Sequence, residues 1–234
     1  KEGRSMADVF VDYSSSKFDW INELGRRVKD HISEFENNDL TSSDIWDDIV
    51  SVLYTEAAEK YDAIAGSLSS TQIESLVSVR NLIASNVTKL VIEDNDKIPD
   101  EIDGTYNSKT GVIWIRPGLP EHVSSLIISH EFVHKLMHDV EDEYMGYLDK
   151  ITNEAMAFFV SYQIVGRATG LDLKDIGIEM CATAMLWGLY LGYGGEPEYR
   201  YTTKERAFQQ IDRYCNRLKI FYRHLSDMLE ELGL

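Results

Sequence analysis

The chain has 234 residues, of which 44% are apolar and 27% charged, and its net charge is −17. That length buries a core without staples, and that mix excludes a collagen-like, rod-like or wholly disordered chain. The acidic balance repels phosphate and argues against nucleic-acid binding. Two cysteines, Cys181 and Cys215, are too few for a disulfide framework or a four-cysteine zinc site.

Lys1-Glu2-Gly3-Arg4-Ser5 precede Met6 and carry no part of the fold reading. No charged-then-apolar signal segment opens the chain. The most apolar stretch, 180–193, is about 14 residues long, and a membrane span needs roughly 20. The expectation is a soluble protein without a membrane segment, cytoplasmic or exported without a cleavable signal peptide.

Phe18, Ile21, Leu24, Val28, Ile32 and Phe35 recur at three and four residues, which predicts an amphipathic helix over about 17–35. Asn37-Asn38-Asp39 breaks it. A second helix is predicted over about 44–64 with Ile45, Ile49, Val52 and Leu53 inward. Ser69 and Gln72 form a capping box for a third helix carrying Ile73, Leu76, Val79, Leu82 and Ile83. This region, 1–86, reads as a helical scaffold or as a platform that positions a substrate or partner.

The period then changes. Residues 89–92 read as a strand, and 105–106 with 112–115 read as a hairpin around the turn 107–111. Pro120 suits the first turn of the next helix, which runs to about Val140. After the acidic loop 141–143 a helix over about 148–167 is closed by Gly170, and an apolar helix spans about 173–193. Thr202 with Glu205 reads as a capping box for a last helix to about Leu232. The predicted class is α+β, mostly helical, with a small sheet packed on a central helix. Residues 87–170 form its chemical core and 171–234 a C-terminal helical region, integrated with 1–86 into one domain. Trp20, Trp46 and Trp187 read as core, Cys181 as an inert buried thiol, and Cys215 as lacking an activator. His31 and His122 read as solvated.

The chemistry is carried by Ser129-His130-Glu131-Phe132-Val133-His134. Four residues advance a helix by about 6 Å and a little over one turn, so His130 and His134 share a face and can reach one ion. Zinc accepts imidazole nitrogen and prefers four ligands. Glu131, beside that face, is placed to act on a metal-bound water. Two residues compete for third ligand. His138 continues the His face, but His130 and His138 are about 12 Å apart along a straight helix. Donor atoms on one zinc lie only ~3–4 Å apart. Glu154 stands twenty positions after His134, in the strongly apolar segment 153–159, where a carboxylate needs a partner. It approaches from a separate helix and is the expected ligand.

His130-Glu131-x-x-His134 with Asn153-Glu154 resembles the zincin metallopeptidases whose third ligand is a glutamate, the gluzincin or thermolysin-like group. The preceding hairpin and Glu154-Ala155-x-x-Phe158 are also similar to the small ImmA/IrrE-type zinc peptidases. The likeness covers about 105–162. In the thermolysin-like pattern an Asp follows the ligand glutamate by four positions, and here Phe158 stands there. The resemblance implies one zinc per chain and a metalloendopeptidase that hydrolyses a protein or peptide substrate through a zinc-bound water, with Glu131 as general base. It also implies that strand 112–115 is a sheet edge that pairs with extended substrate. The flanking helices fit a substrate platform, as in a bacterial effector or toxin protease. Tyr199, Arg200, Tyr201 and His224 are candidates for a second oxyanion donor, with Tyr201 and His224 preferred. The alternative is a non-catalytic zinc-site regulator, sensor or interaction protein on the same fold.

Overall fold

The spacing of apolar residues in the first helix is realised as a buried stripe. Phe18, Ile21, Leu24, Val28 and Ile32 are all buried, and they lie on or just before α1 (Asp19–Ser33). The structure, a computed structural model, describes residues 16–34, 43–141, 147–191 and 203–234. The further helices are α2 (Ser43–Ala65), α3 (Ser70–Ala84), α4 (Glu121–Glu141), α5 (Tyr147–Thr169), α6 (Lys174–Leu191) and α7 (Lys204–Leu232). The strands are β1 (Lys89–Ile92), β2 (Gly104–Asn107) and β3 (Val112–Ile115). The fold is α+β, mostly helical, and the described residues carry one three-stranded sheet. None of their helices is long and apolar enough to cross a membrane. Phe35 and the side chains of Ile45 and Trp46 lie outside the described residues.

Local chemistry sets the helix ends. The Ser69 hydroxyl accepts from the Gln72 amide while the Gln72 side chain accepts from the Ser69 amide, so the capping box is present in full. At α7 the cap is one residue later than expected. Thr203, not Thr202, accepts from the Arg206 amide, which puts Glu205 in the first turn. There its charge meets the positive end of the helix dipole rather than closing a box. The Pro120 carbonyl accepts from the Val123 and Ser124 amides, so Pro120 sits just ahead of α4 rather than inside it.

The sheet corrects one expectation. Its order is β1-β3-β2, with β3 parallel to β1 and antiparallel to β2. β3 is therefore the central strand, not an edge. Both sides of its backbone are engaged, and Ile113 and Ile115 are fully buried. The free edges belong to β1 and β2.

α4 packs on α5, α3, α7 and the sheet. One hydrophobic core unites residues of α1, α3, β3, α4, α5, α6 and α7, so all three stretches distinguished in the sequence share it. Within it Trp20 stacks on Phe159 with ring centroids 3.7 Å apart. α2 rests on a second cluster, through Ala57, Tyr61 and Ala65. Its inward residues follow four-residue steps from Leu53, and Val52 is 53% exposed, contrary to expectation. Ile73 of α3 is also exposed. Trp187 is 42% exposed rather than core, beside Tyr190. Beyond Glu179 α6 carries no charged residue, so its sequence pattern there does not mark which face turns out.

α6 approaches α5 closely at glycines. A Cβ on Gly177 would stand 3.2 Å from the Tyr162 Cβ, and one on Gly188 would stand 2.8 Å from Ile151 side-chain atoms. Arg27 ties α1 to α6 by pairing with Asp175 and with Glu179 at 2.9 Å. His31 is half-buried against Glu179, whose carboxylate raises its pKa, instead of standing in solvent. Both cysteines are buried thiols, and burial pushes the Cys215 pKa up to about 12.

Removing either cap leaves a helix N-terminal amide unpaired, at a cost of about 1 kcal/mol. For a chain of this size that lowers the melting temperature by about 2–4 °C. Ser69→Ala and Thr203→Ala should each show this drop in thermal unfolding followed by circular dichroism. No drop in the Thr203 variant would remove it from the cap position.

Candidate metal centre

α4 is held in place by Ile128, Phe132, Val133, Leu136 and Met137, all buried. The strip left between these contacts carries His130, Glu131 and His134, which are only partly buried and line a cavity. Across it stands α5, fixed by buried Ala155, Met156, Ala157, Phe159 and Val160, with Glu154 turned to the same cavity.

The three expected ligands meet. His130 Nε2 lies 3.1 Å from His134 Nε2 and 3.1 Å from Glu154 Oε1, and His134 Nε2 lies 3.2 Å from Glu154 Oε2. Four ligands at about 2.0–2.1 Å around one ion leave donor atoms roughly 3.3 Å apart. The donor set of two imidazole nitrogens and a carboxylate therefore already has the spacing of a shared ion. Among the described residues these three form the one group of histidine, cysteine and carboxylate side chains that could hold a metal ion. His138, one turn further along α4, is outside it.

Two neighbours orient the ligands. His134 Nδ1 donates to Asn153 Oδ1 at 2.6 Å, which leaves Nε2 to face the ligand cluster. Such a partner fixes both ring orientation and tautomer. Asn153 was quoted in the sequence only as the residue before Glu154, and its role appears once α5 is docked on α4. Phe158, four residues after Glu154, packs on the His130 ring with centroids 4.7 Å apart. It supplies a wall where a carboxylate would have supplied a hydrogen bond.

The charges are coupled. Burial alone would lower the His134 pKa, but the hydrogen bond and charge of Glu154 outweigh it and push the value up to about 9. Burial pushes the Glu154 carboxyl up, yet hydrogen bonds from His130 and His134 hold it well below the usual carboxylate range. Glu131 lines the same cavity without joining the cluster. Burial raises its pKa against the opposing pull of His130 and His134, and the Tyr106 backbone amide of β2 faces its carboxylate.

The cavity measures about 510 Å³. Its far wall comes from α2, through Tyr54, Ala58, Tyr61 and Asp62, and its rim from 101–105. The sequence does not mark the α2 residues as a site, although 54, 58, 61 and 62 lie on one helix face. His122, expected in solvent, is half-buried here, with Nε2 3.0 Å from Asp62 Oδ1. His224 lies on α7, partly buried, and is not among the residues lining the cavity. Tyr199, Arg200 and Tyr201 lie outside the described residues.

Two outcomes follow for metal binding. Below about pH 9 an entering divalent ion must displace the His134 proton, so apparent affinity should rise about tenfold per pH unit between pH 6 and 8. A flat profile in a chelator-competition titration would contradict the charge assignment. In the same titration Glu154→Ala should lose at least ~10–100-fold, and Asn153→Ala a similar or smaller factor. His138→Ala should change little. The opposite ranking of Glu154 and His138 would reject the ligand set.

No family model matches the chain, and neither a curated protein nor a solved structure matches it.

Proposed function

We propose that the protein is a zinc-dependent metalloendopeptidase acting on a protein or peptide substrate. The observation that carries this reading is the meeting of His130, His134 and Glu154 at the wall of an open cavity, with Glu131 beside them and outside the ligand set. Two imidazoles and one carboxylate suit zinc, and three protein ligands facing open space are the pattern of a catalytic rather than a structural site. The resemblance of His130-Glu131-x-x-His134 and Glu154 to the glutamate zincins belongs to the same proposal.

When bound, zinc supplies Lewis acidity to a carbonyl oxygen and makes a water easier to deprotonate. The chain's own residues do the rest. Glu131 takes the proton of the attacking water and delivers it to the leaving amine. Its raised pKa brings it closer to neutrality, where both transfers are efficient. The Tyr106 amide holds its carboxylate in place. Asn153 keeps the His134 lone pair aimed inward, and the ring of Phe158 shields His130 from water.

β2 is the strand that could align an extended peptide. Thr105 and Asn107 alternate with Gly104 and Tyr106, and the Tyr106 amide faces Glu131 rather than β3. The Gly104 backbone shares that outward side at the cavity rim. A substrate strand laid there would run past the metal ligands by β-strand addition.

Glu131→Gln keeps the shape of the side chain and removes its ability to accept a proton. It should retain about one zinc per chain and lose peptide hydrolysis by several orders of magnitude. The check is metal analysis of both proteins and mass-spectrometric identification of new termini after incubation with a whole-cell protein extract. Turnover within about tenfold of the wild type would remove Glu131 as the base. Full zinc loading with no new termini from the wild type would replace the peptidase by a non-catalytic metal module.

A further inference from the structure

We propose that the end of the cavity remote from the metal ligands is a specificity pocket for a lysine or arginine side chain of the peptide substrate. The proposal rests on the peptidase reading for the bond that is cut, but the pocket itself is read from residues outside the metal site.

Glu154, Phe158 and Tyr162 follow one another at four-residue steps along α5, and all three line the cavity. Eight residues of helix span about 12 Å, so Tyr162 marks the far end. It is 3% exposed, and its hydroxyl has no hydrogen-bond partner among the described residues. Tyr61 differs: its hydroxyl donates to the His122 carbonyl at 2.5 Å, which fixes its ring edge-on to Tyr162 at 5.2 Å. Tyr54 and Asp62, also on α2, face the same space and are close enough to act electrostatically on the Tyr162 hydroxyl. One Asp62 oxygen takes the His122 ring, while its side chain remains 63% exposed.

The Tyr162 hydroxyl is open to a cavity large enough for a side chain, and an occupant that takes it out of water must supply it a hydrogen bond. Three tyrosine rings and a carboxylate offer a cation both π faces and oxygen acceptors. None of the described lining residues is lysine or arginine, and Glu101 and Asp103 stand at the rim. A carboxylate entering the pocket would meet like charge, and an apolar side chain would leave the Tyr162 hydroxyl unpaired. The aliphatic stem of a lysine or arginine would lie along the cavity wall with only its head at the tyrosines. Successive residues of an extended peptide are offset by about 3.3–3.6 Å, so only a long side chain next to the cut bond reaches this end.

The test uses zinc-loaded Glu131→Gln protein and alanine-rich hexapeptides that differ at one position, which is arginine, lysine, norleucine, tyrosine or glutamate. Binding is measured by fluorescence anisotropy. Arginine and lysine peptides should bind at least about tenfold tighter than norleucine or glutamate peptides. Asp62→Asn and Tyr162→Phe, introduced separately into the same protein, should each cut the arginine-to-norleucine ratio at least about threefold with zinc content unchanged. Norleucine or tyrosine binding as tightly as arginine would overturn the pocket, as would an arginine preference that survives both substitutions. Cleavage of a whole-cell peptide digest by the wild type separates the two readings. Glu131-dependent cuts without enrichment of basic residues next to them would overturn the pocket and leave the peptidase. A basic binding preference without any cuts would overturn the peptidase and leave the pocket.

Discussion

Two imidazoles and a carboxylate within about 3 Å of each other, at the wall of a mostly apolar helix pair, are the constraint around which the molecule is arranged. The two histidines are largely withdrawn from water, and polar groups so placed need partners, which the more exposed Glu154 carboxylate supplies. The mutual dependence sets the direction in which each group is pushed. Hydrogen bonds from His130 and His134 hold the Glu154 carboxyl low, and the hydrogen bond and charge of Glu154 push the His134 pKa up. A metal ion would take the place of the shared protons. The three side chains therefore already stand at the spacing at which they could hold a metal ion.

Preparation of this kind requires α4 and α5 to be fixed relative to each other, and packing does that. Both helices are buried on more than one side. α4 lies against the sheet and three other helices, and α6 presses on the back of α5 at Gly177 and Gly188. Interiors this dense resist small shifts, so the spacing of side chains projecting from the two helices is held as well. Asn153 and Phe158 extend the control from the backbone to the rings.

The cavity in front of the cluster joins parts of the chain that have little else in common. The sheet contributes Gly104, Thr105 and the Tyr106 amide, and α5 contributes ligand and wall. α2 closes the far side from its own smaller apolar cluster. A helix region that reads as a scaffold or platform thus also shapes the cavity in front of the cluster. Its Tyr54, Tyr61 and Asp62 side chains have a place in the molecule that the apolar pattern of the helix does not reveal.

Much was determined locally and is legible in the sequence. The stacking of His130 and His134 follows from helix pitch alone. The Ser69–Gln72 box and the bounds of β1 and β3 follow from side-chain chemistry within a few residues. Glu154 was legible because a carboxylate amid Ala155, Met156, Phe158 and Phe159 needs a partner. The remainder depends on which surfaces meet, and short-range pattern carries no record of that. Adjacent Thr202 and Thr203 are equivalent as caps until the chain's path selects one. Trp187 lies on the part of α6 that carries no charged residue, so only its neighbours decide that it faces out. β3 reads as a hairpin strand either way, and its central place came from the parallel addition of β1, a pairing distant in sequence. The role of Asn153 and the α2 wall likewise exist only once α5, α4 and α2 are brought together, because hydrogen-bond geometry and cavity shape are properties of packed elements and not of the residues that compose them.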